Sequence, residues 1–268
     1  AVFGAKLGWE RPNWFAPPGV TPAYDYSWKR QNWFAPVGAE CRSVRDHVAL
    51  FDQSSFAKFL VTGRDACVVL NRIAANDVDV PPGRIVYTPW LNARGGIEAD
   101  LTVTRLSDDD FMVVTSGAGQ VRDFAWLKRN IPDDARCTAV DLTSGLPMLG
   151  LMGPRSRDLL SAVSQDDFSA AAFPFGASRE VEIGHARVRA SRITYVGELG
   201  WELMIPAEFA AHVFDVLVEA GRAFGLGFAG MHAMNACRME KGYRHWGHDI
   251  GDEDDPLAAG LGFTIAWD

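Results

Sequence analysis

Asp100-Leu-Thr-Val-Thr-Arg-Leu106, Ser107-Asp-Asp-Asp110 and Phe111-Met-Val-Val-Thr-Ser116 carry the clearest local signal in the chain. Two β-rich runs flank four turn formers, which predicts an antiparallel hairpin. Side chains alternate along a strand, so Leu101 and Val103 take the core face and Asp100 shares the opposite face with Thr102. Aspartate is disfavoured in strands. Its place at the start of this one, shortly after Gly95-Gly96-Ile97, requires either a hydrogen-bonding reason or a functional one.

Upstream, Ala57-Lys-Phe-Leu-Val-Thr62 is a second β-rich run closed by Gly63, and Asp65 to Ala75 carries Ala66, Val69, Leu70 and Ile73 at helical spacing. Arg84-Ile-Val-Tyr-Thr88 follows Pro81-Pro82-Gly83 as a further run. Downstream, Val121, Phe124, Leu127 and Ile131 mark one face of a helix. Val181 to Ala190 predicts a hairpin turning at Gly184-His185, and Trp201-Glu-Leu-Met-Ile205 a strand ending at Pro206. Phe209, Val213, Leu217 and Ala220 predict a helix, as does Met231 to Lys241, capped by Gly242. Hairpins interleaved with helices point to an α+β fold of two hairpin-rich lobes with mixed or antiparallel sheets. The expected boundaries are a lead-in over 1–40, a first lobe over 41–147 and a second over 148–268. The lead-in holds Trp9, Trp14, Trp28 and Trp33 among Pro12, Pro17, Pro18, Pro22 and Pro36, and Trp9 to Pro17 is repeated as Trp28 to Pro36. So many prolines predict an extended segment with few regular elements, packed on the domain through its aromatic side chains.

The chain has 268 residues, 48% of them hydrophobic and 22% charged, and can bury a core without disulfide or metal. A formal net charge of −8 repels phosphate backbones and anionic lipid, so neither nucleic acid nor membrane is an expected partner. Cys41, Cys67, Cys137 and Cys237 form no CxxC pair and are expected as reduced core thiols. No stretch approaches the roughly 20 apolar residues that cross a bilayer, and Ala1 to Trp9 lacks a leader's basic start. The expected compartment is the cytoplasm, or the mitochondrial matrix if the source is eukaryotic.

Gly117-Ala-Gly119 follows a strand and opens a helix, but Arg122 stands where a dinucleotide-binding turn needs glycine. His245-Trp-Gly-His248-Asp249 offers metal-ligand types, yet reads as a loop beyond a helix cap, and no metal is expected. No G-x-S-x-G elbow supports serine hydrolysis. Glu202 shares a strand face with Met204, so it must be paired, Arg238 being one choice, or must meet a ligand that supplies donors.

At these residues the chain resembles a known family. Gly95-Gly-Ile-Glu-Ala-Asp-Leu-Thr-Val103 is similar to the Gly-Gly-Ile-x-x-Asp-Leu-x-Val segment of the glycine-cleavage T-protein (aminomethyltransferase) family. Phe51 to Lys58, Gly83 to Tyr87, Tyr195 to Glu202 and Arg238 to Arg244 match in the same order. Gly8 to Phe15 and Lys241 to Gly247 more specifically resemble the folate domains of dimethylglycine and sarcosine dehydrogenases, which follow an FAD domain. The resemblance implies two lobes around a central folate cavity and a bound tetrahydrofolate. It makes Asp100 the catalytic residue beside the folate nitrogens, where an anion can orient the amine, accept its proton and stabilise developing positive charge. Glu202 becomes the pterin-binding carboxylate, accepting paired hydrogen bonds from the ring N–H and the amino group. Tyr195, Tyr87, Arg238, Ser116 and Phe56 are the implied companions in cofactor binding. The implied activity passes a methylene unit from an N-methyl amine to tetrahydrofolate, with an FAD-dependent dehydrogenase domain or subunit as partner. Aminomethyl transfer, another folate-dependent demethylation, and a non-catalytic role like that of the pyruvate dehydrogenase phosphatase regulatory subunit are the alternatives. Ser116 replaces the usual Asn, Ala99 replaces a second acidic residue, and Ile265-Ala-Trp-Asp268 falls where family members continue into a small barrel.

Overall fold

The computed structural model describes residues 1–267. In chain order the elements are β1 (Val2–Lys6), β2 (Trp9–Trp14), α1 (Phe34–Asp46), β3 (Val48–Asp52), β4 (Ala57–Thr62), α2 (Ala66–Ile73) and β5 (Ile85–Leu91). Then follow β6 (Ile97–Arg105), β7 (Asp110–Thr115), α3 (Gln120–Arg129), β8 (Thr138–Asp141), β9 (Met148–Met152) and α4 (Ser156–Val163). The remainder comprises β10 (Ser178–Ile183), β11 (Ala186–Ser191), β12 (Gly200–Met204), α5 (Ala210–Gly221), β13 (Leu226–Phe228) and α6 (Met231–Glu240). The α+β expectation holds.

Two compact units are interleaved along the chain rather than consecutive. The first takes Ala1–Ser55, Gly145–Phe175 and Arg179–Tyr243; the second takes Phe56–Ser144, Gly176–Ser178 and the chain from Arg244 onward. The first unit holds the β1–β2 hairpin and a six-stranded sheet in the order β10-β11-β12-β9-β3-β13. That sheet is mixed, because β13 runs parallel to β3 while its other described pairs are antiparallel. Gly184 turns the β10–β11 hairpin at φ +58°, where a side chain would be strained. The second unit is a five-stranded antiparallel sheet in the order β5-β6-β7-β4-β8. One of its faces carries the core: Phe59, Val61, Leu70, Val86, Trp90, Leu101, Val103, Phe111, Val113 and Leu127 are all buried together. Leu101 and Val103 therefore lie on the core face, as alternation from Asp100 required.

The lead-in departs from expectation. Residues 2–14 form a hairpin that includes Pro12, and the second copy of the repeat opens α1 with Pro36 in its first turn, where a missing N–H costs nothing. Trp14 is fully buried, but Trp28 is fully exposed and anchors nothing. A buried carboxylate does more of the fastening: Glu40 on α1 accepts from the Phe15 N–H at 2.6 Å and from the Gly230 N–H at 3.0 Å, tying the end of the hairpin to the start of α6. β5 likewise runs on through Pro89 to Leu91. It is an edge strand, so a residue without an N–H is tolerated. The four cysteines are free, but only Cys237 is buried; the other three are half-buried.

Candidate functional site

In the second unit, Thr102 pairs directly with Tyr87 on one side and Val114 on the other, and Val114 pairs with Lys58. Asp100 stands two residues from Thr102, and Ser116, extended at φ −63° and ψ 146°, two from Val114. A period of two thus brings Asp100, Tyr87 and Ser116 to one face, opposite the apolar core. Phe56, half-buried, immediately precedes β4 at the same end, where Ala57 pairs with Thr115. Just before Asp100 the β5–β6 pairing slips: Leu91 faces Ile97 and Trp90 faces Ala99, leaving Glu98 as the extra residue of a bulge. Bulges re-aim the side chains that follow them, and they recur beside functional sites.

The Asp100 carboxyl is half satisfied. Tyr87 donates its phenolic hydrogen to it, whereas Oδ1 is buried with no hydrogen-bond partner among the described residues. Burial pushes its pKa up from 3.8 to about 6, against the smaller opposing effect of Tyr87. The Tyr87 ring packs 6.1 Å from Phe263 and borders a depression of about 300 Å³ with Asn76, Arg84 and Ile85. Ser116 Oγ accepts from the Gly119 N–H at 3.2 Å, so the short side chain caps the following turn and keeps its O–H to donate.

In the first unit, Glu202 lies on β12 between Ser191 on β11 and Gly150 on β9. Its strand neighbours Trp201 and Leu203 are fully buried. Gln53 Nε2 donates to Glu202 Oε1 at 3.1 Å, and Gln53 Oε1 is buried without a partner among the described residues. Gly150 makes room for this amide: a Cβ there would sit 2.1 Å from Gln53 Oε1. Arg238, weighed from sequence as an ion-pair partner, gives Nε and Nη2 to Asn235 Oδ1 at 2.9 and 2.7 Å and Nη1 to the Tyr243 carbonyl at 2.9 Å. Tyr243 in turn stacks on Tyr195, their ring centroids 6.1 Å apart.

Sequence reasoning missed Gln53 and Tyr243. Both lie inside segments that resemble the family, Phe51–Lys58 and Arg238–Arg244, whose aromatic Phe56 and charged Arg238 are the more conspicuous ligand types. Among the described residues no three His, Cys, Asp or Glu side chains are gathered as a metal would need, and no helix is long and apolar enough to cross a membrane.

The GCVT N-terminal domain family matches residues 1–268. The chain is 48% identical over its whole length to the 4-methylaminobutanoate oxidase (formaldehyde-forming) of Paenarthrobacter nicotinovorans, covering 32% of that protein. It is 36% identical over 98% of its length to human mitochondrial sarcosine dehydrogenase, covering 33% of it. The chain thus spans about a third of the length of these curated relatives. Its structure overlays on that of the glycine cleavage system aminomethyltransferase T from Bartonella henselae with a TM-score of 0.83 and 26% identity, over 99% of this chain and 65% of that one. The fold is that of a T-protein, and the chain belongs to the GCVT N-terminal domain family.

Proposed function

We propose that this chain is a tetrahydrofolate-dependent one-carbon transfer module, passing a methylene unit derived from an N-methyl amine to tetrahydrofolate to give 5,10-methylenetetrahydrofolate. The observation that carries the reading is Asp100: a carboxyl held on a sheet face with one buried oxygen that no donor among the described residues meets. Such a group costs stability unless a ligand supplies the missing hydrogen bond. Gln53 Oε1, beside Glu202, poses the same requirement for a donor in the first unit. A pterin offers a ring N–H and an amino group, and a reduced folate offers amines, so the residues present fit the group.

Bound tetrahydrofolate would supply the amine nitrogens that take up the one-carbon unit. Asp100, with a pKa of about 6, is mostly ionised at neutral pH and can take a proton from an attacking amine while its charge steadies developing positive charge. Tyr87 holds the other side of that carboxyl. Glu202 and Gln53 would receive the pterin edge, with Tyr195, Arg238, Ser116 and Phe56 as further cofactor contacts. Sarcosine and 4-methylaminobutanoate, the substrates in two relatives' names, are both N-methyl amines, which supports that donor class. The amine oxidation belongs to an FAD-dependent dehydrogenase domain or subunit as partner, in the cytoplasm or, in a eukaryote, the mitochondrial matrix.

Calorimetric titration with 5-formyltetrahydrofolate tests the reading. The wild type should bind saturably, and Glu202→Ala should weaken binding by about 1–3 kcal/mol, the scale of hydrogen bonds to a charged group. No binding by the folded wild type refutes the module; an unchanged Kd in the variant removes Glu202 from the pterin.

A further inference from the structure

We infer that Arg122 is a positioning residue for Asp100, acting by clamping the bulged start of β6 together with Trp246. The inference rests on the reading of Asp100 given above. It joins two sequence features that the proposed function does not use: the arginine that spoils the dinucleotide-type turn and the His-Trp-Gly-His loop.

Pairing between β6 and β7 begins at Thr102, so the strand that delivers Asp100 is not held by β7 over its first residues. Side chains take over there. Arg122 Nη2, from α3, donates to the carbonyl of Glu98, the bulge residue. Trp246 Nε1 donates to the preceding carbonyl, that of Ile97, at 2.7 Å. The two holders are themselves joined, because the Arg122 guanidinium lies over the Trp246 ring at 3.6 Å. The same guanidinium is fixed from behind by Asp123 Oδ1, at 3.0 Å from Nε and 2.8 Å from Nη2. Asp123 is buried and anchored through its other oxygen to Thr115 Oγ1 at 2.6 Å. Thr115 is the last residue of β7, next to Ser116. One planar cation therefore ties α3 and the end of β7 to the Glu98 carbonyl and, by stacking on Trp246, joins the side chain that holds the Ile97 carbonyl next to it. Only a guanidinium can do this, since its donors point in several fixed in-plane directions while its face stacks; an ammonium cannot do both. Releasing the bulge would let the Asp100 carboxyl drift, and displacement on the order of 1 Å costs about 10²-fold in rate.

The test compares Arg122→Met, Arg122→Lys and the milder Trp246→Phe, each alone and combined with Asp100→Asn. The readouts are methylene transfer from formaldehyde to tetrahydrofolate above the uncatalysed background, the Kd for 5-formyltetrahydrofolate, and amide exchange over residues 95–102. A positioning role predicts that Arg122→Met lowers kcat by about 10–100-fold while Kd stays within about twofold. Lysine should not rescue the rate, and exchange should quicken in the bulge. Trp246→Phe keeps the stack and removes one carbonyl bond, so it should fold and show a smaller loss of the same kind. With Asp100 already changed to Asn, none of the three should lower the rate further. Losses that persist undiminished in the Asp100→Asn background overturn the inference, as does faster exchange with unchanged kcat, which marks a purely structural clamp. An Asp100→Asn protein with wild-type rate overturns the reading of Asp100 itself, and does so whatever the Arg122 variants show.

Discussion

Replacing Asp100 by Asn should make the protein more stable at neutral pH and not at acid pH. Burial holds the carboxyl at a pKa of about 6 rather than 3.8. At 1.36 kcal/mol for each tenfold change in proton affinity, the ionised form is disfavoured in the native state by about 3 kcal/mol. The sign follows from proton counting. Between pH 3.8 and about 6 the native protein binds more protons at this site than the unfolded chain, so stability falls as pH rises through that window and stays low above it. Asparagine has no such titration. Its amide brings an N–H to a position where Oδ1 meets no partner among the described residues, an offset of about 1 kcal/mol. The expected outcome is a variant more stable than wild type by about 2 kcal/mol at pH 7.5, and equal or less stable by up to about 1 kcal/mol at pH 4. Urea unfolding of both proteins at several values from pH 4 to 7.5 measures this, and the other carboxylates cancel in the difference. A difference independent of pH, or an Asn variant less stable at pH 7.5, refutes the argument. The predicted pattern is that of a group retained for chemistry at the expense of stability.

Tyr87→Phe removes the donor that favours the ionised Asp100, so the carboxyl should titrate above its present value of about 6. Carboxyl carbon shifts followed by NMR will show this, and an unchanged or lower value contradicts it. Gly150→Ala should displace Gln53 from Glu202, because the new Cβ would lie 2.1 Å from Gln53 Oε1 and 2.8 Å from Met152 Cε. A stability loss of about 1–3 kcal/mol with weaker binding of 5-formyltetrahydrofolate is expected, and wild-type behaviour in both counts against the close approach.

Where structure is local, it was legible. The strand Ala57–Thr62, the hairpin at Gly184-His185 and the helix from Met231 each follow from alternation, a turn residue or a cap within a dozen positions. The face of Asp100 was legible for the same reason, and with it the question of what meets its carboxyl. The lead-in was not legible in this way. Asn-Trp-Phe-Ala-Pro occurs twice: at 13–17 it closes a strand and buries its tryptophan, and at 32–36 it opens a helix. Identical local preferences gave opposite outcomes because β1 pairs with the first copy, and Glu40, itself on the helix that the second copy opens, fastens the first.

The same limit governs the site. Short-range patterns and motifs were enough for the fold class, the family, and which carboxylates stand on strand faces where each must be answered by a donor. That Gln53 meets Glu202, that Glu98 is bulged out of the ladder, and that Arg122 and Trp246 hold the carbonyls before Asp100 came from the folded chain alone. A period of two or of 3.6 residues is written into neighbouring side chains, whereas a contact between residues 53 and 202, or 97 and 246, is set by which surfaces must leave water together, and no local pattern encodes it.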